Sequence, residues 1–137
     1  ETEKATEFFE KASKGLDVPA SAMYYNDQPP ETIFYQGLAL LKLNNEEAAR
    51  GRFNKLIDYG EQHLFDDVRI DYFAVSLPDF LIFDEDLNKK NQIHCYYLMG
   101  LGNLGLKKAD KAKEYFDKAL QLDVNNQGVI IHSRLKI

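Results

Sequence analysis

Hydrophobic positions recur along most of the chain at the spacing of a helix face. From Thr2 to Lys14, Ala5, Phe8, Phe9 and Ala12 fall at offsets of three and four with charges between them, and Gly15 ends the run. Between Leu16 and Pro30 the periodicity stops: Pro19, Ser21, Asn26, Asp27, Pro29 and Pro30 predict a loop with an extended entry into the next element. Residues Glu31 to Leu43 predict a second helix, with Ile33, Phe34, Gly37, Leu40 and Leu41 facing inward, and Asn44-Asn45 turns the chain. A third helix runs from Glu46 to about Tyr59. Glu46 and Glu47 suit the positive end of its dipole, Gly60 is placed for a C-terminal cap, and Ala49, Phe53, Leu56 and Ile57 form its buried edge.

From His63 to Asp84 apolar residues crowd around Pro78 without a clean period, which predicts a short helix to about Ser76, a break at Pro78 and a further turn into Asp84-Glu85-Asp86. Strand pairing is the alternative there. A long helix then reaches about Gly105, another spans Lys107 to Leu122, and Gln127 to Leu135 begins a last one.

The inner faces repeat themselves. Gly37 is followed twelve residues later by Ala49 and four later by Phe53; Gly100 is followed at the same intervals by Ala112 and Phe116, then by Ala119. Ala5, Phe9 and Ala12 reproduce the second-helix part of that spacing, so the chain reads as starting on half a unit. A small residue on each first helix allows close approach, and the Ala and Phe of the second supply gap and knob.

With Tyr96 and the Met99-Gly100 pair, these residues resemble the tetratricopeptide repeat family, whose helix-turn-helix unit of roughly 34 residues carries an aromatic, Leu-Gly, Ala and an aromatic in this order. In the C-terminal unit Val124 replaces the usual Pro and Asn103 an aromatic; in the central unit Ile33 stands for the aromatic, Gln36 for the Leu and Leu56 for the second small residue. Gly37 and Gly100 lie 63 residues apart, short of two full repeats, so residues 64–90 are expected to be a degenerate unit or an aromatic-rich insertion. The composite is also similar to the repeat-bearing C-terminal region of long bacterial proteins of unassigned function, in which a β-rich N-terminal region precedes the repeats. What the resemblance implies is an all-α fold, helix-turn-helix repeats stacked as a short α-solenoid over a single domain at 1–137, and a fragment of a longer protein.

Such superhelices line a concave surface with their first helices. By phase, the groove candidates are Phe34, Leu38, Leu41 and Lys42 in the central unit and Tyr97, Leu101 and Leu104 in the C-terminal one. The set is too apolar for the family's carboxylate clamp, with Lys42 alone suggestive. It predicts a non-catalytic scaffold whose partner is a protein or peptide, another domain of the parent chain, or a second copy meeting an exposed repeat end.

Charge and chemistry narrow the remaining classes. With 137 residues, 45% of them hydrophobic, the chain can build one modest core. A net charge of −5 argues against a phosphate-backbone binder. No apolar run approaches the ~18 residues of a membrane span. Cys95 is the single cysteine, which excludes an internal disulfide framework and favours a reducing, cytoplasmic setting.

Gly100-Leu101-Gly102-Asn103-Leu104-Gly105 is a literal dinucleotide fingerprint and the sharpest enzyme hypothesis, a nucleotide-binding fragment. That reading needs a strand-to-helix turn; the repeat puts the glycines inside a helix, and no second βαβ unit is visible. The Asp84 to Asn88 stretch begins like a calcium loop, but Lys89 stands at the turn Gly and Cys95 at the closing Glu. His94 and Cys95 point about 100° apart on a helix and cannot chelate together. No cofactor and no metal is expected, and Cys95 is read as core. Lys107, Lys108, Lys111 and Lys113, mixed with Asp110, Glu114 and Asp117, read as a solvated face.

Overall fold

The computed structural model describes residues 2–15, 17–20, 29–68 and 80–137, with side chains in the last stretch from Leu87 onward. These residues form six helices and, among them, no strand: α1 (Thr2–Ala12), α2 (Thr32–Lys42), α3 (Glu46–His63), α4 (Phe80–Gly105), α5 (Ala109–Leu122) and α6 (Gln127–Ser133). The all-helical class follows. α2, α3, α4 and α5 pack broadly in chain order, while α1 on α2 and α6 on α5 pack more lightly. The short helix to Ser76 and the break at Pro78 lie outside the described residues. Residues 80–90, expected to belong to an irregular insertion, are continuous with α4.

The two helix pairs α2/α3 and α4/α5 share backbone detail as well as spacing. Asn44 and Lys107, 63 positions apart, both adopt left-handed conformations, with φ of +58° and +62°. The next amide in each turn reaches back to the helix it leaves, Asn45 N–H to the Leu40 carbonyl and Lys108 N–H to the Asn103 carbonyl, both at 2.9 Å. Asn44 and Lys107 N–H donate to the carbonyls of Leu41 and Leu104, both at 3.0 Å. This satisfies carbonyls that a helix end leaves unpaired and fixes the angle at which the second helix returns. Asn45 also caps α3 by accepting from Ala48 N–H at 3.2 Å, and Asn126 caps α6 by accepting from Val129 N–H at 3.1 Å.

Packing inside each pair repeats too. A Cβ built on Gly37 would run into the Phe53 ring, and one on Gly100 into the Phe116 ring. Ala49, Ala112 and Ala119 are buried beside these knobs. Tyr96 stacks on Tyr115 across α4 and α5, with centroids 6.4 Å apart, and Lys118 lies over both rings.

Between the pairs, α3 and α4 approach so closely that glycine is needed on both. A Cβ at Gly60 would stand 2.8 Å from the Cys95 carbonyl, and one at Gly102 would stand 2.6 Å from the Phe53 carbonyl. Gly60 therefore serves packing, and the expected cap is corrected: α3 continues through it to His63.

α1 departs from the repeat. Ala5 and Ala12 are exposed, Phe9 is only half-covered, and Phe8 is 68% exposed. A second-helix face needs a first helix to receive it, and among the described elements α1 makes broad contact with α2 alone. The packing role expected for Ala5, Phe9 and Ala12 is thus not seen here.

Glycine substitutions should separate the two situations by sign. Gly51 is exposed within α3 with nothing near its Cβ position, so Gly51→Ala should raise stability by about 0.5–1 kcal/mol. Gly102→Ala should lower it by about 1–3 kcal/mol, because the helices must separate. Urea midpoints at constant m-value measure both.

Candidate functional site

The seven groove candidates do not line one open surface. Phe34, Tyr97, Leu101 and Leu104 are buried in the core, Leu38 and Leu41 are half-buried, and Lys42 is exposed. The correction has a physical cause: α2, α4 and α6 converge at His132, and Phe34 and Tyr97 pack against its ring. Phe34 lies 6.1 Å from Phe53 and 5.9 Å from His132, ring centre to ring centre, and Tyr97 lies 5.6 Å from His132. The large hydrophobic side chains that stay exposed near this convergence are Tyr35 and, on α6, Ile131.

His132 is the polar pin of this convergence. Its Nδ1 lies 2.7 Å from the Gly128 carbonyl and 2.9 Å from the Tyr97 hydroxyl, and its Nε2 lies 2.8 Å from the Tyr35 hydroxyl. A carbonyl only accepts, so in the neutral ring Nδ1 carries the proton and Nε2 accepts from Tyr35 O–H. Tyr97 O–H donates to the Glu31 carboxylate at 3.4 Å. Burial, then the nearby Glu31 charge, raises the Tyr35 pKa above its ordinary value, which keeps the phenol a donor. One side chain of α6 thus ties α2 to α4.

A second set of polar contacts fixes residues 17–20. Asp17 accepts from Lys55 at 2.7 Å and from Arg52 at 3.1 Å, and the Lys55 hydrogen bond and charge, helped by Arg52, hold its carboxyl below the ordinary value. His94 Nε2 donates to the Ala20 carbonyl at 2.8 Å, with its ring edge-on to Tyr59. Burial pushes its pKa down to about 4, so the ring is neutral at pH 7.

Burial likewise pushes the Cys95 thiol up to about 12, and its sulfur faces Asn91 Oδ1 at 3.7 Å. A nucleophile needs the thiolate, so this is a core group. Asn88, the last residue of the stretch that begins like a calcium loop, accepts from Val68 N–H at 2.7 Å; the side chains of Asp84 and Asp86 lie outside the described residues. His63 pairs with Asp66 at 2.6 Å. Among the described residues no three His, Cys, Asp or Glu side chains gather as a metal site would require, and no helix is long and apolar enough to cross a membrane. Lys113–Asp117 and Lys118–Glu114 pair along α5, in keeping with a solvated face of mixed charge.

Gly100, Gly102 and Gly105 sit in the C-terminal half of α4, facing the Phe116 ring, the α3 backbone and the Phe53 ring in turn. A pyrophosphate needs free amides at a helix N-terminus, reached from a strand. The fingerprint is three helix-packing positions in a row, so its dinucleotide reading is withdrawn.

One open cavity, of about 170 Å³, lies between the two interhelical turns. Leu41, Phe53, Gly105 and Leu106 line it together with Glu46, Arg50 and Lys107.

No protein-family model matches the chain, and no solved structure matches it significantly.

His94 sets a pH dependence. Its folded pKa is depressed, so its contribution is complete above pH 6.5, where the unfolded chain's imidazole is also neutral, and is lost as pH falls towards 4. Stability should drop by about 3 kcal/mol across that window. Urea midpoints of His94→Gln should start lower and show a shallower slope between pH 6.5 and 4.

Proposed function

We propose that this chain is a non-catalytic scaffold built of tetratricopeptide-type helix pairs, which holds a protein, a peptide or another domain of its parent chain on its exposed helix faces. The observation that supports the reading is the coincidence, 63 residues apart, of the glycine gap, the phenylalanine knob and the left-handed turn residue in α2/α3 and α4/α5. Units that agree in packing and in turn geometry are the makings of a stacked array, whose neighbours bury one another and whose outer faces remain for partners.

The contact face we assign is narrower than an open apolar groove. The Tyr35–His132 hydrogen bond joins α2 to α6. Around it Tyr35 is 45% exposed and Ile131 55% exposed, and Leu135 follows α6 at 37%. Large side chains left in water beside a rigid hydrogen-bonded pin suit a partner helix, or the corresponding face of a second copy.

Selection of a displayed library of helical peptides on the immobilised chain tests this. Binders should emerge whose affinity falls at least about tenfold in Ile131→Asp and Tyr35→Ala. A library that yields no binder, or binders indifferent to both changes, would contradict the reading. Sedimentation at rising concentration gives the second-copy case its own readout: self-association that Ile131→Asp suppresses.

A further inference from the structure

We infer that the cavity between the two interhelical turns is a docking site for a partner peptide carrying one apolar side chain beside acidic residues. Its floor is apolar, formed by Leu41, Phe53 and Leu106, and three charges surround it, Arg50, Lys107 and Glu46. The volume of about 170 Å³ is well below the roughly 300–1,000 Å³ of small-molecule pockets, and it suits a single side chain.

Charge decides what flanks that side chain. Five cations are held by carboxylates: Lys11 by Glu7, Arg52 and Lys55 by Asp17, Lys113 by Asp117 and Lys118 by Glu114. Among the described residues Arg50 and Lys107 have no ion-pair partner, although Glu46 lies four positions from Arg50 on the same helix. The cavity thus carries a net positive rim in a chain of net charge −5. Two unpaired cations beside an apolar floor favour a carboxylate next to the inserted side chain.

Lys107 offers a substitution that spares the fold. Its backbone is left-handed, a conformation that glycine adopts without steric penalty and lysine does not. Asn44 shares that conformation at the corresponding turn, so glycine at 107 keeps the turn while removing a side chain that lines the cavity.

The inference rests on the scaffold reading only in assuming a protein partner, and it concerns a different face from the one around Tyr35. The probe is a blocked pentapeptide with a central leucine flanked by glutamates, with glutamine-flanked and alanine-centred analogues as controls. In an amide-resolved NMR titration of the full chain, saturable shifts should cluster at Leu41, Arg50, Leu106 and Lys107. Affinity should weaken at least about fivefold with either control peptide and with added salt.

Lys107→Gly separates binding from folding, because it should raise the urea midpoint while weakening the probe at least about fivefold. Arg50→Glu should weaken it further with the midpoint little changed. Equal binding of the glutamine-flanked peptide, shifts clustering around Tyr35 and Ile131, or no shift at millimolar probe would each overturn the inference. Shifts around Tyr35 and Ile131 would do so while leaving the scaffold reading intact.

Discussion

The ring of Phe53 is the contact on which the rest depends. It projects from α3 into a gap that has Gly37 of α2 on one side and Gly105 of α4 on the other, and a Cβ at either position would collide with it. One side chain thereby sets the distance within the first helix pair and between that pair and the next. The ring is 1% exposed, and close-packed interiors leave no slack for it to move aside. Phe116 does the simpler half of the task, filling the Gly100 gap within the second pair. The α3/α4 junction adds Gly60 and Gly102, so these helices meet almost backbone to backbone. Hydrophobic burial drives the association; the absence of Cβ atoms decides its geometry.

Polar contacts then place what the apolar packing leaves undetermined. His132 is held by the hydroxyls of Tyr35 and Tyr97, and His94 holds the Ala20 carbonyl. Each buried ring has a partner for a ring nitrogen, as a buried polar group requires. Asp17 draws its segment onto α3 through Lys55 and Arg52 from outside, where solvent weakens the pairs and their role is chiefly positional.

Much of this was legible because helices write local spacing into sequence. The offsets from Gly37 to Phe53 and from Gly100 to Phe116 announced the gap and knob, and Asn44-Asn45 announced a turn. The groove was misread for a reason of the same kind. Phase around one helix tells which side chains lie off the face towards a given neighbour, but not whether a third helix covers them; Phe34 and Tyr97 touch Phe53 and Phe116 of their own pairs and are closed over by His132 of α6. The side chains that hold His132 lie 35 and 97 positions away, beyond the reach of local spacing. Gly60 looked like a cap because a glycine near a helix end has two uses, and only the position of Cys95 and Met99 on α4 distinguishes them. The cavity rim was invisible for a related reason: Arg50 and Lys107 belong to different units, and Lys107 read alone as part of a solvated face.

The central claim is that Phe53 and its glycine gap form one coupled device. A double-mutant cycle of Gly37→Ala with Phe53→Leu, followed by urea unfolding, tests it most directly. Each single change should destabilise the fold. The shorter leucine should make room for the new methyl, so the double variant should be more stable than the two losses added together, by about 1 kcal/mol or more. Losses that simply add would contradict the account.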